Sequence, residues 1–336
     1  MTARTRKKLD SQPTFKESMK RFSVWRLAMI MTIGAVAFTG CGVSVQNSST
    51  GSAPGTVVER DSVPAELRNA MKAVEPFFQP MPAPGPNDWL ATFNEPGQTF
   101  DEYINSNPTV PTAERSKIYV LPLGDFTDKQ RQVIDITSSY LGAFFGLAVE
   151  TLPQQKIPRP LRLKDSRLIP TDGREQIRTG FILDDILQPM LPKDAAALIA
   201  FTNDDLYPDD SMYYVFGQAS LENRVGVWSL FRLDDRIEPG NFLRRTIKIA
   251  AHETGHMFSM HHCTKYNCVM SGSNHLAETD SHPIDACPEC MAKICWFLHI
   301  LPAERYRKLA DLCRAKGLNK EADEFERKYA AVRSGY

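Results

Sequence analysis

Ile247-Lys248-Ile249-Ala250-Ala251-His252-Glu253-Thr254-Gly255-His256-Met257-Phe258-Ser259-Met260-His261-His262-Cys263 is the stretch on which the fold and the chemistry of this chain turn. Residues i and i+4 lie one above the other on a helix, so His252 and His256 offer their imidazoles to one point, with Glu253 beside them. H-E-x-x-H by itself also occurs on ordinary helices, as two half-exposed histidines with no common task. His262 shifts the balance. It stands six residues past His256, the distance at which a helix that stops and turns back returns a third imidazole to the first two. Three histidines around zinc leave a fourth position for water, and zinc lowers the pKa of such a water to about 7, so the spacing predicts a catalytic zinc. Glu253, next to the ligands but not one of them, is then the general base of hydrolysis. His261 is one residue short of the spacing and reads as an exposed neighbour or a support for the ligands.

Four cysteines follow as Cys263-x4-Cys268 and Cys287-x2-Cys290. Two close pairs separated by a loop can surround a second zinc completely, which makes that metal structural; two disulfides are the alternative if the chain meets oxidising conditions. Cys295 and Cys313 read as small buried apolar residues, with a disulfide as the alternative.

The chain has 336 residues, a hydrophobic fraction of 42% and a formal charge of +0. Its basic residues crowd the start: residues 1–40 hold 8 Lys and Arg against 2 Asp and Glu, leaving 32 basic and 38 acidic residues, a net of −6. A mildly acidic remainder lacks the basic footprint of a nucleic-acid binder, so no nucleic acid is expected as partner. The apolar run Leu27 to Phe38 is too short to span a bilayer and reads as the core of a signal peptide. Phe38-Thr39-Gly40-Cys41 resembles a bacterial lipobox, with Phe38 where an aliphatic residue is usual. Residues 1–40 are therefore read as a lipoprotein-type signal peptide and Cys41 as the lipid-bearing residue that holds the chain to a membrane of the cell envelope. Cytoplasmic residence is the alternative. Residues 41–64, rich in Ser, Gly, Thr and Val, form a tether, and residues 65–336 the working domain.

Within that domain strand and helix signals alternate. A short helix is predicted near Ala65 to Phe78. Lys117 to Leu123 reads as a strand, and Thr127 with Gln130 as the capping box of a helix ending near Phe145. A second helix is predicted after Asp172 and Glu175, with Ile182, Leu183, Ile186, Leu187 and Met190 on its core face. Ala195 to Phe201 and Val225 to Leu233 read as buried strands, with an edge strand near Tyr214 to Ala219 between them. Alternation of this kind predicts a mixed α/β fold.

The run His252 to Cys263, continued by Cys268, Met270, Cys287 and Cys290, resembles the archaemetzincins, a metzincin-clan family of zinc metallopeptidases. Phe78-Gln79-Pro80, Asp88-Trp89, Asp205-Leu206-Tyr207-Pro208, Val215 to Leu221 and Gly272-Ser273-Asn274-His275-Leu276 are similar to family segments too, so the likeness extends over about Phe77 to Cys313. It implies a metzincin-like mixed sheet with a backing helix, an active-site helix and a subdomain after the third histidine stabilised by the four-cysteine zinc. It also implies that Met270 is the methionine of the turn beneath the metal. The family ends its active-site helix on glycine where this chain has Ser259, and a non-glycine residue in the left-handed region costs roughly 1 kcal/mol or more. The expected activity is hydrolysis of peptide bonds in a peptide or protein substrate, whose backbone would lie along the edge strand at Phe216, Gly217, Gln218 and Ala219. A catalytically silent zinc-binding envelope scaffold is the alternative; Ser259 favours it and the intact Glu253 opposes it.

Overall fold

The computed structural model describes residues 65–210, 212–220, 223–233 and 241–334. The leader, the tether and Cys41 lie outside the described residues.

Helix α1 (Ala65–Val74) runs into a 3-10 turn, Glu75–Phe77, and is followed by the short helices α2 (Trp89–Thr92) and α3 (Phe100–Asn105). Strand β1 (Lys117–Pro122) leads to α4 (Asp128–Phe145), which opens on the expected capping box: Thr127 accepts from the Gln130 amide and the Gln130 side chain accepts in return. It closes on Gly146, in the left-handed region at φ 60°, a conformation glycine adopts without a Cβ penalty.

Strands β1, β2 (Ala148–Thr151), β5 (Ala195–Thr202) and β8 (Val225–Ser229) are mutually parallel in the order β2-β1-β5-β8, and β7 (Gly217–Ala219) adds an antiparallel edge beyond β8. Side chains alternate across a strand. Ile118 and Val120 of β1 therefore join one core with Phe144 of α4 and Ile247, Ala250 and Ala251 of α5 (Asn241–Met257), while Tyr119 and Leu121 join a second core on the opposite face. That opposite face is covered by a small sheet, β3 (Ser166–Leu168), β4 (Glu175–Arg178) and β6 (Asp205–Tyr207), and by a π-helical segment, Phe181–Leu187, that passes into Gln188–Met190. The mixed α/β fold is as expected, with α4 as the backing helix and α5 as the active-site helix.

Three expectations need correction. The helix placed after Asp172 and Glu175 begins later, because Glu175–Arg178 is a strand paired with β3 and β6. Its apolar face is nonetheless core: Ile182, Leu183 and Leu187 are buried, and Ile186 and Met190 pack against them. The strand read as Val225 to Leu233 stops at Ser229, where the Leu230 amide donates to Thr202 and the chain turns. The edge strand expected from Tyr214 is ladder-paired only at Gly217–Ala219; Val215 instead bridges to Leu206 of the small sheet.

After α5 come α6 (Leu276–Ser281), α7 (Pro288–Leu298), α8 (Pro302–Ala315) and α9 (Asn319–Ser334). They form the subdomain after the third histidine. At its centre Asp285 is buried between Arg305 Nη1 at 3.2 Å and Lys328 Nζ at 2.9 Å, while its own carbonyl accepts from the Val269 amide.

Candidate metal centre

Helix α5 buries most of its residues, while His252, Glu253 and His256 are half-buried. It ends in two nested hydrogen bonds, Ser259 N–H to His256 O at 2.9 Å and Met260 N–H to Gly255 O at 3.1 Å, with Ser259 at φ 60°. This is a Schellman turn with serine in the place of glycine. Of the two outcomes that Ser259 allows, a strained left-handed turn or one built differently, the turn is left-handed, and it has a polar partner: Ser259 Oγ accepts from the Thr109 amide at 2.9 Å, a bond no glycine could make. His262 returns to the helix, and the rings of His252, His256 and His262 stand with centroids 4.6–5.1 Å apart.

The hydrogen bonds of these rings fix their tautomers. His252 Nδ1 faces the Val269 carbonyl at 2.9 Å and His256 Nδ1 faces the Met260 carbonyl at 2.6 Å. A carbonyl can only accept, so each Nδ1 carries the hydrogen. Burial pushes His252 down to about 3 and His256 well below its ordinary value, with the neighbouring histidines adding to the shift, so both rings are neutral. Their Nε2 atoms therefore confront each other as bare lone pairs 3.0 Å apart. His262 Nδ1 lies 2.8 Å from Glu95 Oε2, which leaves Nε2 as the atom this ring can offer to a metal. Two lone pairs this close repel one another unless a cation lies between them, and zinc with Zn–N of about 2.0–2.1 Å would set such nitrogens about 3.3 Å apart. The donor set fits zinc.

Glu253 sits beside this cluster, and burial pushes its carboxyl up to about 7 against the opposing pull of His262. Met270 lies beneath. A Cβ added to Gly255 would stand 2.6 Å from Met270 Sδ, so the helix approaches the methionine as closely as its backbone permits. His261 is exposed, spends its amide on Gln98 Oε1 at 3.2 Å, and has no place in the three-histidine cluster.

Cys263, Cys268, Cys287 and Cys290 bring four buried sulfurs within 4.8 Å of one another. All four are free thiols, and Cys263 Sγ and Cys287 Sγ are 3.6 Å apart, close to the roughly 3.8 Å of a zinc tetrahedron with Zn–S of about 2.3 Å. Hydrogen bonds from the other three thiols hold Cys263 far below the usual thiol range, whereas burial drives Cys268 and Cys287 upward. Four thiolates this close and this buried would repel one another, and a dication would be needed to hold them together. Cys268 Sγ also accepts from the Met270 and Cys287 amides at 3.4 and 3.2 Å. Cys295 and Cys313 are buried free thiols, as expected of small apolar residues.

A third group, Asp88, His275 and Glu278, also has ligand-type atoms close together. Hydrogen bonds within the protein already engage them. His275 Nδ1 accepts from the Glu278 amide, His275 Nε2 meets Asp88 Oδ1 at 3.2 Å, and Glu278 accepts from the Trp89 and Asn274 amides. It is a latch that holds Trp89 beside the histidines, its ring 4.9 Å from that of His262. Sequence reasoning quoted Asp88 and Trp89 without a role and missed Glu95 altogether. No spacing rule links a carboxylate to a histidine 167 residues later.

The model of peptidase family M54 matches residues 185–295. Archaemetzincin-2 of Pongo abelii is 29% identical over 72% of this chain and 76% of its own length. The archaemetzincin of Archaeoglobus fulgidus is 31% identical over 53% of this chain and 98% of its own length. The crystal structure of the Methanopyrus kandleri archaemetzincin aligns with a TM-score of 0.46 at 25% identity, over 57% of this chain and 99% of that one.

Proposed function

Because this chain belongs to the archaemetzincin family and is a zinc-dependent peptidase, we propose that it cleaves peptide bonds at zinc held by His252, His256 and His262, with Glu253 as the general base. The single observation that carries the assignment is the convergence of His252, His256 and His262, each with an acceptor on its Nδ1. When bound there, zinc supplies a Lewis-acidic centre that activates water and polarises the scissile carbonyl. Glu253, its carboxyl poised near neutrality, accepts the proton of the attacking water and delivers it to the departing amide nitrogen. Edge strand β7 offers Gly217, Gln218 and Ala219, with Phe216 before them, as the surface along which an extended substrate backbone pairs. The four cysteines hold a second, structural zinc. Ser259 was the residue that favoured a silent scaffold; since the turn it forms still returns His262 to the cluster, that support falls away.

Replacement of the base separates chemistry from binding. Glu253→Ala should lower peptide hydrolysis by about 10²-fold or more while leaving zinc per chain unchanged; a variant that cleaves at the parent rate would remove Glu253 from the mechanism.

The leader supports a location. Cleavage before Cys41 and lipidation of that residue would tether the peptidase to a membrane of the cell envelope, and intact-mass analysis of the native protein should find residues 1–40 missing and a lipid adduct on Cys41. Recovery of the unmodified full-length chain from the cytoplasm would refute this.

A further inference from the structure

The turn that carries His262 is held from outside by a distant part of the chain. Several polar groups along residues 95–109 find partners on it. Tyr103 Oη donates to the Phe258 carbonyl at 2.7 Å, the Thr109 amide to Ser259 Oγ at 2.9 Å, and Gln98 Nε2 to the Ser259 carbonyl at 3.4 Å. Gln98 Oε1 accepts from the His261 amide, and Thr264 Oγ1 donates to the Pro96 carbonyl. Between these contacts Glu95 Oε2 receives His262 Nδ1–H at 2.8 Å and the Trp89 indole N–H at 2.9 Å. Gly97 lets the segment pass this close: at φ 74° it is left-handed, and a Cβ there would lie 2.3 Å from Thr264 Oγ1.

We propose that Glu95, oriented by Trp89, is a positioning residue for the third zinc ligand, and that residues 95–109 act as a clamp that lets a serine stand where the turn would otherwise require glycine. The inference rests on His262 being a ligand. A carboxylate on the far nitrogen of a ligand histidine fixes the tautomer and the ring plane and makes the ligand more basic, and losing such a partner typically costs 10- to 100-fold in metal affinity. His252 and His256 take their partners from the backbone of the turn and of the methionine loop, so they keep their orientation when Glu95 changes. Glu95 and Trp89 both precede residue 185, where the match to the family model begins.

Zinc affinity by chelator competition, the visible spectrum of the cobalt-substituted protein, and separate kcat and KM for one peptide would be measured for Glu95→Ala, Glu95→Gln, Trp89→Phe and His262→Ala, with circular dichroism to establish folding. Glu95→Ala should weaken zinc 10- to 100-fold and shift the cobalt bands with little change in KM. Glu95→Gln, whose amide oxygen still accepts from Nδ1–H, should recover most of the affinity, and Trp89→Phe should fall between. Folded Glu95→Ala with parent affinity and spectrum, while His262→Ala loses zinc, would overturn the clamp alone. Parent zinc affinity in His262→Ala would overturn the ligand set on which the inference stands.

Discussion

Glu253 shows what burial does to one side chain. An ordinary glutamate near 4.5 is fully ionised at neutral pH and a weak base; pushed to about 7 by its surroundings it becomes a base matched to the medium. Zinc adds positive charge nearby and stabilises the carboxylate, drawing the value back down. The ionised form does the work, so activity falls as pH falls through this pKa. The acid limb of kcat/KM should therefore lie between 4.5 and about 7, and should disappear from the residual activity of Glu253→Ala. A limb that persists in the variant would belong to another group. At this scale much was legible, because helical spacing alone places His252, Glu253 and His256 together. The tautomers were not, since they depend on the carbonyls of Val269 and Met260, whose positions no periodicity encodes.

Among the elements, those with local signals were legible. The capping box at Thr127, the continuous apolar run of β5 and the active-site helix all carry their structure in a few consecutive residues. Strand β4 lies where Asp172 and Glu175 predict the start of a helix, and only its pairing with β3 and β6 shows it to be extended. No helix after the active-site one is predicted from the sequence; α8 and α9 bury Arg305 and Lys328 beside apolar residues such as Leu309 and Phe325. The four-cysteine cluster and the histidine cluster are joined more tightly than adjacency in sequence requires: the Cys263 amide donates to the Met270 carbonyl at 2.8 Å, and Met270 in turn donates to Cys268 Sγ. If the four cysteines hold the second zinc proposed above, Cys287→Ser should release it and also weaken catalytic zinc, measured as zinc per chain and as chelator competition. Loss of one zinc with full activity and unchanged catalytic affinity would make the two sites independent.

Over the whole molecule, the C-terminal helices reach the active site through charge. Arg305 of α8 and Lys328 of α9 converge on Asp285, Asp285 O holds the Val269 amide, and Val269 O orients His252. Removing the central anion would leave two buried cations unpaired, a change that costs about 3–5 kcal/mol. Asp285→Asn should show that loss in urea unfolding monitored by circular dichroism, together with weaker zinc binding. Retained stability would mean that the network contributes shape but little energy.

The clamp on the ligand turn also bears on the order in which the molecule is built. His252 and His256 are brought together by one helix, a local event. The turn that carries His262 is held by partners 150 to 168 residues away, Thr109 on Ser259, Glu95 on His262 and Pro96 on Thr264, and such contacts must first overcome the entropy of closing a long loop. The helix alone sets two histidines and a glutamate, whereas the third ligand depends on loop closure over most of the domain. Without those distant contacts there is no finished metal centre, so the power to cut other chains depends on the completion of its own fold.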